Sequence, residues 1–397
     1  MRQKKKLKKA LSLLLTAAMV LSLNVPVFAD EADDGNGEDN ATNSVQVLDA
    51  TDGEDVQAID NVPENEGVKV AKIGDTAYAT LQEAMAEAVS GNTVSLVGEA
   101  IENETVVVKD GITLEIAAGA SLNGQVEVQE GGKLIVNGAI TYDSQGSAII
   151  SRGTVQIGEG AAVTAKDSDN NGAVYIIKGS FEMSGGTITS EKKSTNYGRG
   201  LGFNNNADAS GSITGGTINA VDIALLIRSG GLNSDFSIQN VMLNCSSGTN
   251  VINGTYLSNI AEGSSVYQDG KTWTIGSGAT SSVKTEDNVY YPTVAAALKA
   301  GTTVEVLGAM TENVTVPEGK TLTVNEGAAI AGRVTNNGTL VVNGAISGNV
   351  VNNGSMEVKG IVSAVSGNAI TSSGKLIMNE GSTVSATNIS NGAVRLT

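Results

Sequence analysis

The sequence predicts an all-β chain made of two parallel β-helix (β-solenoid) modules, in which short strands coil around a narrow core and stack on one another. Apolar residues at the ends of strand-like runs recur about every 25 residues, which is typical of a stacked repeat. The segments TLQEAMAEAVSGNTVSLVGEA (residues 80–100) and PTVAAALKAGTTVEVLGAM (residues 292–310) each run a short helix into a strand. Aromatic residues make up only 3% of the chain, as a narrow aliphatic core requires. We therefore expect modules over residues 68–282 and 283–397, each opened by a short capping α-helix.

The repeat interval separates this fold from a sandwich of hairpins. The first column of apolar residues is Ile150, Ile176, Phe203, Ile227 and Ile252, and the second is Val163, Ile188, Ile218 and Leu243. Both columns keep a spacing near 25 residues, with one longer interval between Ile188 and Ile218. A sandwich also gives alternating strands, but only stacked coils of about three strands per turn require a constant pitch. Glycine and asparagine are expected at the corners.

Each module is predicted to begin with an amphipathic helix that covers the open end of the first coil. Thr80 and Glu83 have the spacing of a capping box, whereas the second helix has Ala296 in place of the glutamate. The apolar stripe of the first helix is Leu81, Ala84, Met85, Ala88 and Val89, followed by a stop at Gly91. The stripe of the second helix is Val294, Ala297 and Leu298.

Residues 1–29 have the features of a cleaved export signal. A basic start, MRQKKKLKK, precedes the apolar run ALSLLLTAAMVLSL and the small residues Val27 and Ala29. The apolar run is shorter than the roughly 20 residues of a membrane span. We therefore expect a secreted, extracellular or cell-surface protein with no transmembrane span in the mature chain. The long lysine-rich start is typical of a Gram-positive exporter.

Composition excludes several classes of function. The signal carries six of the 25 basic residues, so the remaining 19 against 42 acidic residues leave a net charge of −23, which repels nucleic acid. Histidine is absent and cysteine occurs once, which excludes Ser-His-Asp catalysis, imidazole metal sites and an intramolecular disulfide. Residues 30–67 carry 13 acids and no base, and are expected to form a disordered acidic linker.

Three stretches resemble β-helix modules of a known family. AKIGDTAYATLQEAMAEAVSGNTVSLVGE resembles the opening of the pectate-lyase-like right-handed parallel β-helix modules of Gram-positive cell-surface proteins. GSFEMSGGTIT and GSITGGTI resemble their rung motif, and GTYLSNIAEGSSVYQDGKTWTI (residues 254–275) resembles their closing segment. The likeness implies a right-handed coil and a stalk or adhesin-like surface, with cell-wall or host glycans or surface proteins as partners.

The same fold also carries polysaccharide lyases and glycoside hydrolases, so a carbohydrate-active enzyme is the alternative. Such an enzyme needs clustered carboxylates and a positioned cation. The strands offer Glu127, Glu182 and Asp222, but no close carboxylate pair recurs on neighbouring turns. The sequence therefore predicts a non-enzymatic protein without catalytic residues.

Calcium is the one cofactor that the sequence leaves open. In DSDNNGAV, Asp167, Asp169 and Asn171 with Gly172 match positions 1, 3, 5 and 6 of a calcium loop, but position 12 falls on Lys178. The second module keeps NGAV without the acids. The turn itself therefore explains the motif, and the aspartates are expected at a solvated corner.

Three cations are candidates for glycan binding. Arg152 and Lys178 follow the first-column residues of their turns by two positions, and Arg228 follows its own by one. In register, they would line one edge of an otherwise acidic module. They are either ordinary charged residues of the turns, or they line a shallow groove that binds the carboxylates or sulfates of an acidic glycan.

The two modules can be aligned with each other. KLIVNGAI (133–140) matches TLVVNGAI (339–346), and SAIISRGTVQIGEGAAVTA (147–165) matches NAITSSGKLIMNEGSTVSA (368–386). The second copy has one extra stretch, around VVNNGSMEVKGIV, and ends at Thr397 without counterparts of the last turns of the first. We therefore expect a truncated second module, and a chain that is an N-terminal fragment.

Overall fold

The computed structural model describes residues 69–191, 197–247, 251–388 and 392–397. They form a parallel β-solenoid of about 13 turns with two short helices, which confirms the expected fold class. No helix in these ranges is long and apolar enough to cross a membrane. The expected signal (1–29) and acidic linker (30–67) lie outside the described residues.

The first module opens with a hairpin and a helix. β1 (Ala71–Ile73) and β2 (Thr76–Tyr78) pair antiparallel around Gly74, which has a φ of 56°, and α1 (Leu81–Glu87) follows. β1 also pairs antiparallel with β3 (Thr93–Leu96), the first strand of the solenoid. The hairpin therefore covers the backbone edge of the first turn, and the helix covers its apolar end.

Helix α1 confirms the predicted capping box and shortens the predicted stripe. Glu83 N donates to Thr80 Oγ1 at 3.1 Å, and Thr80 N donates to Glu83 Oε2 at 3.2 Å. The helix ends at Glu87, so the prediction that Val89 continues the buried stripe is wrong, since this side chain is 64% exposed. The backbone leaves the helix in a turn in which Val89 N donates to Asn92 Oδ1 at 2.9 Å. The buried residues of the stripe are Leu81, Ala84 and Met85.

Seven turns of three strands form the described part of the first module. In chain order, the strands after β3 are β4 (Glu99–Ile101), β5 (Val106–Val108), β6 (Thr113–Ile116), β7 (Ser121–Asn123), β8 (Val126–Val128), β9 (Lys133–Val136), β10 (Ala139–Gln145), β11 (Ile149–Ser151), β12 (Thr154–Ile157), β13 (Ala162–Asp167), β14 (Val174–Ile176), β15 (Ser180–Met183), β16 (Thr187–Ser190), β17 (Arg199–Phe203), β18 (Ser210–Ile213), β19 (Thr217–Ala220), β20 (Ile223–Ile227), β21 (Ser237–Ile238), β22 (Val241–Cys245) and β23 (Ile252–Asn253). From β3 to β20, each strand pairs in parallel with the strand three places on. The first, second and third faces therefore begin at β3, β4 and β5.

The register confirms one predicted column and corrects the ends of the other. The confirmed partners are Val163, Ile188, Ile218 and Leu243 on the second face, and Ile176, Phe203 and Ile227 on the third. Ile150 is wrong by one residue, because Ser151 is the partner of Ile176. Ser151 tolerates this buried position because its hydroxyl accepts a backbone N–H two residues on. Ile252 is also wrong, since it pairs with Leu225.

The first module closes with a hairpin that extends its second face. A 3-10 helix (Leu257–Asn259) precedes β24 (Ser265–Asp269) and β25 (Thr272–Gly276), and β25 pairs antiparallel with β22. β24 then pairs in parallel with β27 (Val289–Tyr290), which pairs with β26 (Val283–Thr285). One sheet of 16 strands therefore runs from β4 through this junction into the second module.

The second module repeats the opening of the first. β26 pairs antiparallel with β28 (Thr303–Val306), and α2 (Val294–Ala300) lies between β27 and β28 in the chain. The predicted apolar positions Val294, Ala297 and Leu298 are buried. Ala296 N donates to Thr293 Oγ1 at 3.1 Å, and Val294 N donates to Glu312 Oε1 at 2.8 Å. A glutamate from the first turn of this module thus accepts a hydrogen bond from the start of the helix.

Five shorter turns follow in the second module. In chain order, their remaining strands are β29 (Ala309–Met310), β30 (Val314–Val316), β31 (Thr321–Val324), β32 (Ala329–Ala331), β33 (Val334–Asn336), β34 (Thr339–Val342), β35 (Ala345–Ser347), β36 (Val350–Asn352), β37 (Ser355–Val358), β38 (Ile361–Ser366), β39 (Ile370–Ser372), β40 (Lys375–Met378), β41 (Thr383–Asn388) and β42 (Val394–Leu396). The turn that leads from Leu340 to its register partner Met356 is about half as long as the turn from Ile188 to Ile218. A single period therefore describes only part of the solenoid.

The core is mainly aliphatic, with three phenylalanines in edge contact in the first module (Phe181, Phe203 and Phe236) and a polar ladder in the second. Asn336, Asn352 and Ser372 occupy successive turns and are 0%, 0% and 2% exposed. Asn336 Nδ2 donates to Asn352 Oδ1 at 2.7 Å, and Asn352 Nδ2 donates to Ser372 Oγ at 2.8 Å. Asn336 Oδ1 has no hydrogen-bond partner, since Val316 holds the preceding position. These two asparagines therefore lie in the core and not at the solvent-exposed corners where the sequence placed asparagine.

Candidate functional site

The three predicted cations follow the third face of the first module, but they do not form one row. The register places Arg152 level with Ile177, and Asn204 level with Arg228. Arg152 and Arg228 therefore lie in one row, in which the fourth turn contributes Ile177 and the fifth contributes Asn204. Lys178 lies one residue beyond this row. The error has the same cause as the misplaced Ile150, from which the position of Arg152 was counted. Their role in glycan binding stays a prediction.

Arg152 and Lys178 are each held by a glutamate. Arg152 Nη1 lies 2.8 Å from Glu127 Oε1, and Lys178 Nζ lies 3.2 Å from Glu130 Oε1. All four side chains are at least one-third exposed, so the pairs add little to stability. They do neutralise both cations at the surface, where an acidic ligand would have to displace a carboxylate.

Arg228 is different, because its guanidinium lies across the outer side of the third face. Its Nη2 donates to Asn170 O at 3.0 Å and to Asn171 Oδ1 at 3.1 Å. Its Nη1 donates to the hydroxyl of Tyr175 at 3.3 Å, and the guanidinium carbon lies 5.6 Å from the centre of the tyrosine ring. Arg228 thus reaches back two turns, to the loop between β13 and β14.

A second arginine, Arg199 at the start of β17, reaches the same loop. Its Nη1 donates to Asn170 O at 2.6 Å and also to Asn170 Oδ1. Its Nε lies 3.8 Å from Asp222 Oδ2, and its guanidinium carbon lies 4.9 Å from the ring centre of Tyr197. Burial lowers the pKa of Arg199, Asp222 opposes that shift, and Arg228 adds to it.

Gly202 makes the close approach of the loop possible. It is the register partner of Tyr175 on the outer side of the third face. A Cβ atom at this position would overlap the carbonyl oxygen of Asn171. The missing side chain therefore lets the loop fold over the sheet, where both arginines contact it.

Two of the three residues proposed for calcium, Asp169 and Asn171, lie in this loop, and the third, Asp167, is the last residue of β13. Asp167 is buried, at 5% exposed, so the prediction of a solvated corner is wrong for this residue. The two carboxylate oxygens of Asp169 accept hydrogen bonds from Asn171 N at 2.7 Å and Asn171 Nδ2 at 3.0 Å. Asn171 Oδ1 accepts from Arg228. In this arrangement the oxygens of Asp169 and Asn171 already have hydrogen-bond donors, and a calcium ion would compete with them. Calcium binding stays a prediction.

A groove of about 390 Å³ lies beside Arg228, which is one of its lining residues together with Ile227 and Leu232. Its walls are the backbone of Gly230 and Gly231 and small polar side chains of the sixth turn and the closing segment, among them Thr255 and Ser258. The guanidinium of Arg228 contacts the fourth turn instead. The groove offers hydroxyl and peptide groups, which suit the hydroxyls of a neutral sugar.

The three carboxylates weighed for acid–base catalysis are all engaged by neighbours. Glu127 pairs with Arg152, and Asp222 lies beside Arg199. Glu182 Oε2 accepts a hydrogen bond from Gln156 Nε2 at 2.5 Å. These contacts account for all three carboxylates in structural terms, and the absence of catalysis stays a prediction.

Comparisons with known proteins add no family to this picture, since no family model, curated protein or solved structure matches the chain.

Sequence reasoning missed Arg199, Tyr175 and Asn170. Asn170, Arg199 and Arg228 follow one another at equal intervals of about one turn. This spacing is the only available signal, and it becomes useful only once the variable turn lengths are known. The candidate site is therefore the loop at residues 168–173 with the two arginines that hold it.

Proposed function

We propose that the chain is an exported cell-surface protein of the adhesin-like kind implied by the sequence resemblance, with a structural and adhesive role and no catalysis. The Gram-positive origin, the secretion and the glycan partners belong to this proposal. The observation that supports the structural role most strongly is the sheet of 16 strands that continues through the junction between the modules.

A continuous sheet makes a good stalk because the junction is itself hydrogen-bonded. At about 4.8 Å between strands, 16 strands extend over roughly 75 Å. The antiparallel hairpin β24–β25 takes the place of a flexible linker, so the two modules share backbone ladders. Such a body holds an exposed surface at a fixed distance from its attachment point.

The adhesive part of the proposal depends on the first module. Its third face carries the two arginines and the polar loop, and a hydroxyl-rich groove lies beside Arg228. The groove suits the hydroxyls of a sugar polymer, and the arginines suit its acidic substituents, because arginine recognises carboxylate and sulfate oxygens through paired N–H donors.

The decisive experiment separates retention from turnover. The purified full chain is passed over immobilised pectin, alginate and mammalian-type acidic glycans, and the eluate is assayed for newly formed reducing or unsaturated ends. Retention without product supports the adhesive role. Product formation identifies a carbohydrate-active enzyme instead. If the chain is not retained and no product forms, the chain is a passive spacer.

Export has its own test. Expression of the full chain in a Gram-positive host should yield an extracellular or wall-associated protein whose first residue is Asp30. Retention in the cytoplasm with an intact Met1 would contradict this part of the proposal.

A further inference from the structure

We propose that Arg199 and Arg228 form a binding site for a single carboxylate or sulfate group of an acidic glycan, on the outer side of the third face of the first module. This inference rests on the proposed adhesive function, which supplies the class of ligand, and it replaces the row of three cations by a specific pair.

The two guanidinium groups are held close to each other. Arg199 Nη1 and Arg228 Nη2 both donate to the carbonyl oxygen of Asn170, at 2.6 and 3.0 Å, so these nitrogens lie within about 6 Å of one another. Two like charges at this separation repel each other, and the repulsion grows with burial. An anion placed between them would relieve it.

The charge of Arg228 is not matched by a carboxylate in contact. Among the ion pairs of the described residues, Arg199 has Asp222 and Arg152 has Glu127, but Arg228 has none. Its neighbours are a neutral phenol, an amide and a peptide oxygen. Arg228 is half-buried, and on a chain whose formal charge is −17 it keeps a positive charge that no contacting carboxylate of the described residues offsets.

Donors remain available on both arginines. A guanidinium has five N–H groups. Arg199 directs two of them, both from Nη1, at Asn170. Its Nε is buried without a hydrogen-bond partner, and no hydrogen bond within the described residues uses its Nη2, which is the donor left for an anion at the surface. Arg228 uses three, which leaves its Nε and one hydrogen on Nη1. A two-oxygen anion could therefore accept hydrogen bonds from both side chains at once.

Nearby acidic residues limit the affinity that this site is expected to have for an anion. Asp222 lies 3.8 Å from Arg199 Nε, and Asp169 adds a second negative charge to the surroundings of this arginine. Both oxygens of Asp169 accept hydrogen bonds from Asn171. Because these acids offset part of the positive charge, one site should bind one substituent weakly. A polymer with many substituents gains affinity by multivalent presentation on a surface.

The test uses one polymer backbone with three kinds of substituent. Binding of the full chain to surfaces of dextran, carboxymethyl-dextran and dextran sulfate is measured at low and high salt. The variants are Arg228→Gln and Arg228→Lys, with Arg152→Gln as the matched control, because that arginine is already paired with a glutamate. Thermal unfolding of each variant shows that it is folded, and Tyr175→Phe provides a milder second change at the site.

The site predicts that at least one of the two charged polymers binds while neutral dextran does not, and which of them binds tells carboxylate from sulfate. Arg228→Gln should weaken that binding at least tenfold, Tyr175→Phe should weaken it less, Arg228→Lys should restore part of it, and Arg152→Gln should change it less than twofold. The proposal is overturned if Arg228→Gln binds like the parent, if Arg152→Gln loses as much, or if neither the charged polymers nor the free anions described below bind.

A further arm distinguishes failure of the site from failure of the function. Free glucuronate and inorganic sulfate are titrated while the environment of Tyr175 is followed by NMR. Saturable binding that Arg228→Gln abolishes, without retention of any polymer, supports the site and contradicts the adhesive function. Retention on glycans that is unchanged in Arg228→Gln supports the function and overturns the site.

Discussion

Replacing Asn352 by valine should destabilise the second module more than replacing Asn336 by valine. Both asparagines are fully buried and lie in the same ladder. Valine fits the column, because Val316 already holds the preceding position at 0% exposure. The comparison therefore isolates the hydrogen bonds from the packing.

The expected difference follows from the contacts. Asn352 makes three hydrogen bonds: it accepts from Asn336 and donates to Ser372 Oγ and to Lys375 O. Asn336 makes two, and its Oδ1 is already without a partner. At about 1 kcal/mol for each of the three bonds, with a further penalty of about 1–3 kcal/mol for a buried group left unpaired, Asn352→Val should cost about 4–6 kcal/mol. Asn336→Val removes two bonds and one unsatisfied oxygen but leaves Asn352 Oδ1 without its donor. The two unpaired oxygens offset each other, so this variant should cost about 2 kcal/mol.

Urea unfolding of the full chain and amide exchange in β36 and β39 measure these costs. Amide exchange is needed because a repeat structure can unfold in parts. The double variant should cost less than the sum of the single ones, since the bond between the two asparagines is counted twice. If Asn336→Val costs as much as Asn352→Val, or if Asn352→Val costs less than about 0.5 kcal/mol, the ladder does not stabilise the core in this way.

Three further predictions concern local features. Thr80→Ala removes the side-chain acceptor at the start of α1 and should cost about 1 kcal/mol, seen as faster amide exchange in α1 and β3, whereas unchanged exchange would contradict this role of the cap. Burial alone would raise the pKa of Glu286, but hydrogen bonds from Thr302 and Thr303 lower it from 4.5 to about 2. Because the folded value is the lower one, Glu286 stabilises the fold above pH 4.5 and this contribution is lost as the pH falls toward 2. Glu286→Gln should therefore flatten the acid side of the pH–stability curve, and an unaltered curve would count against it. Burial raises the pKa of Cys245 to about 11, so at pH 8 the native thiol should react with an alkylating reagent about a hundredfold more slowly than the unfolded chain; equal rates would refute this.

The sequence was sufficient for the architecture because the solenoid repeats local rules. The capping box at Thr80 needs only residues three apart, and the column from Val163 to Leu243 repeats one inward position on the second face. Both were predicted correctly. The same argument identified two module openings, which the structure shows as hairpin, helix and first strand in each case.

The errors come from places where a polar residue replaces an apolar one in the core. Ser151 takes an inward position that the apolar pattern assigned to Ile150, and Asn336 and Asn352 are buried where corners were expected. A hydrogen bond to the backbone or to the neighbouring turn makes such a residue acceptable inside, and this partner is invisible in the sequence. One slipped residue then misplaces everything counted from it, including Arg152.

The candidate site was predictable only in part. Arg228 was named from its position after the third face, but its partners Arg199 and Asn170 lie one and two turns earlier. Their meeting depends on Gly202, whose missing side chain admits the loop. Because the turns differ about twofold in length, such neighbours cannot be found by counting along the chain.

The sheet that joins the two modules also determines how the chain would respond to a pulling force. Its ladder hydrogen bonds point along the stacking direction, so tension between the two ends would open one ladder at a time instead of shearing many at once. Each released turn would add roughly 55 to 105 Å of extended chain, at about 3.5 Å for each residue. The protein would therefore lengthen in discrete steps under load, and it would refold step by step when the load falls.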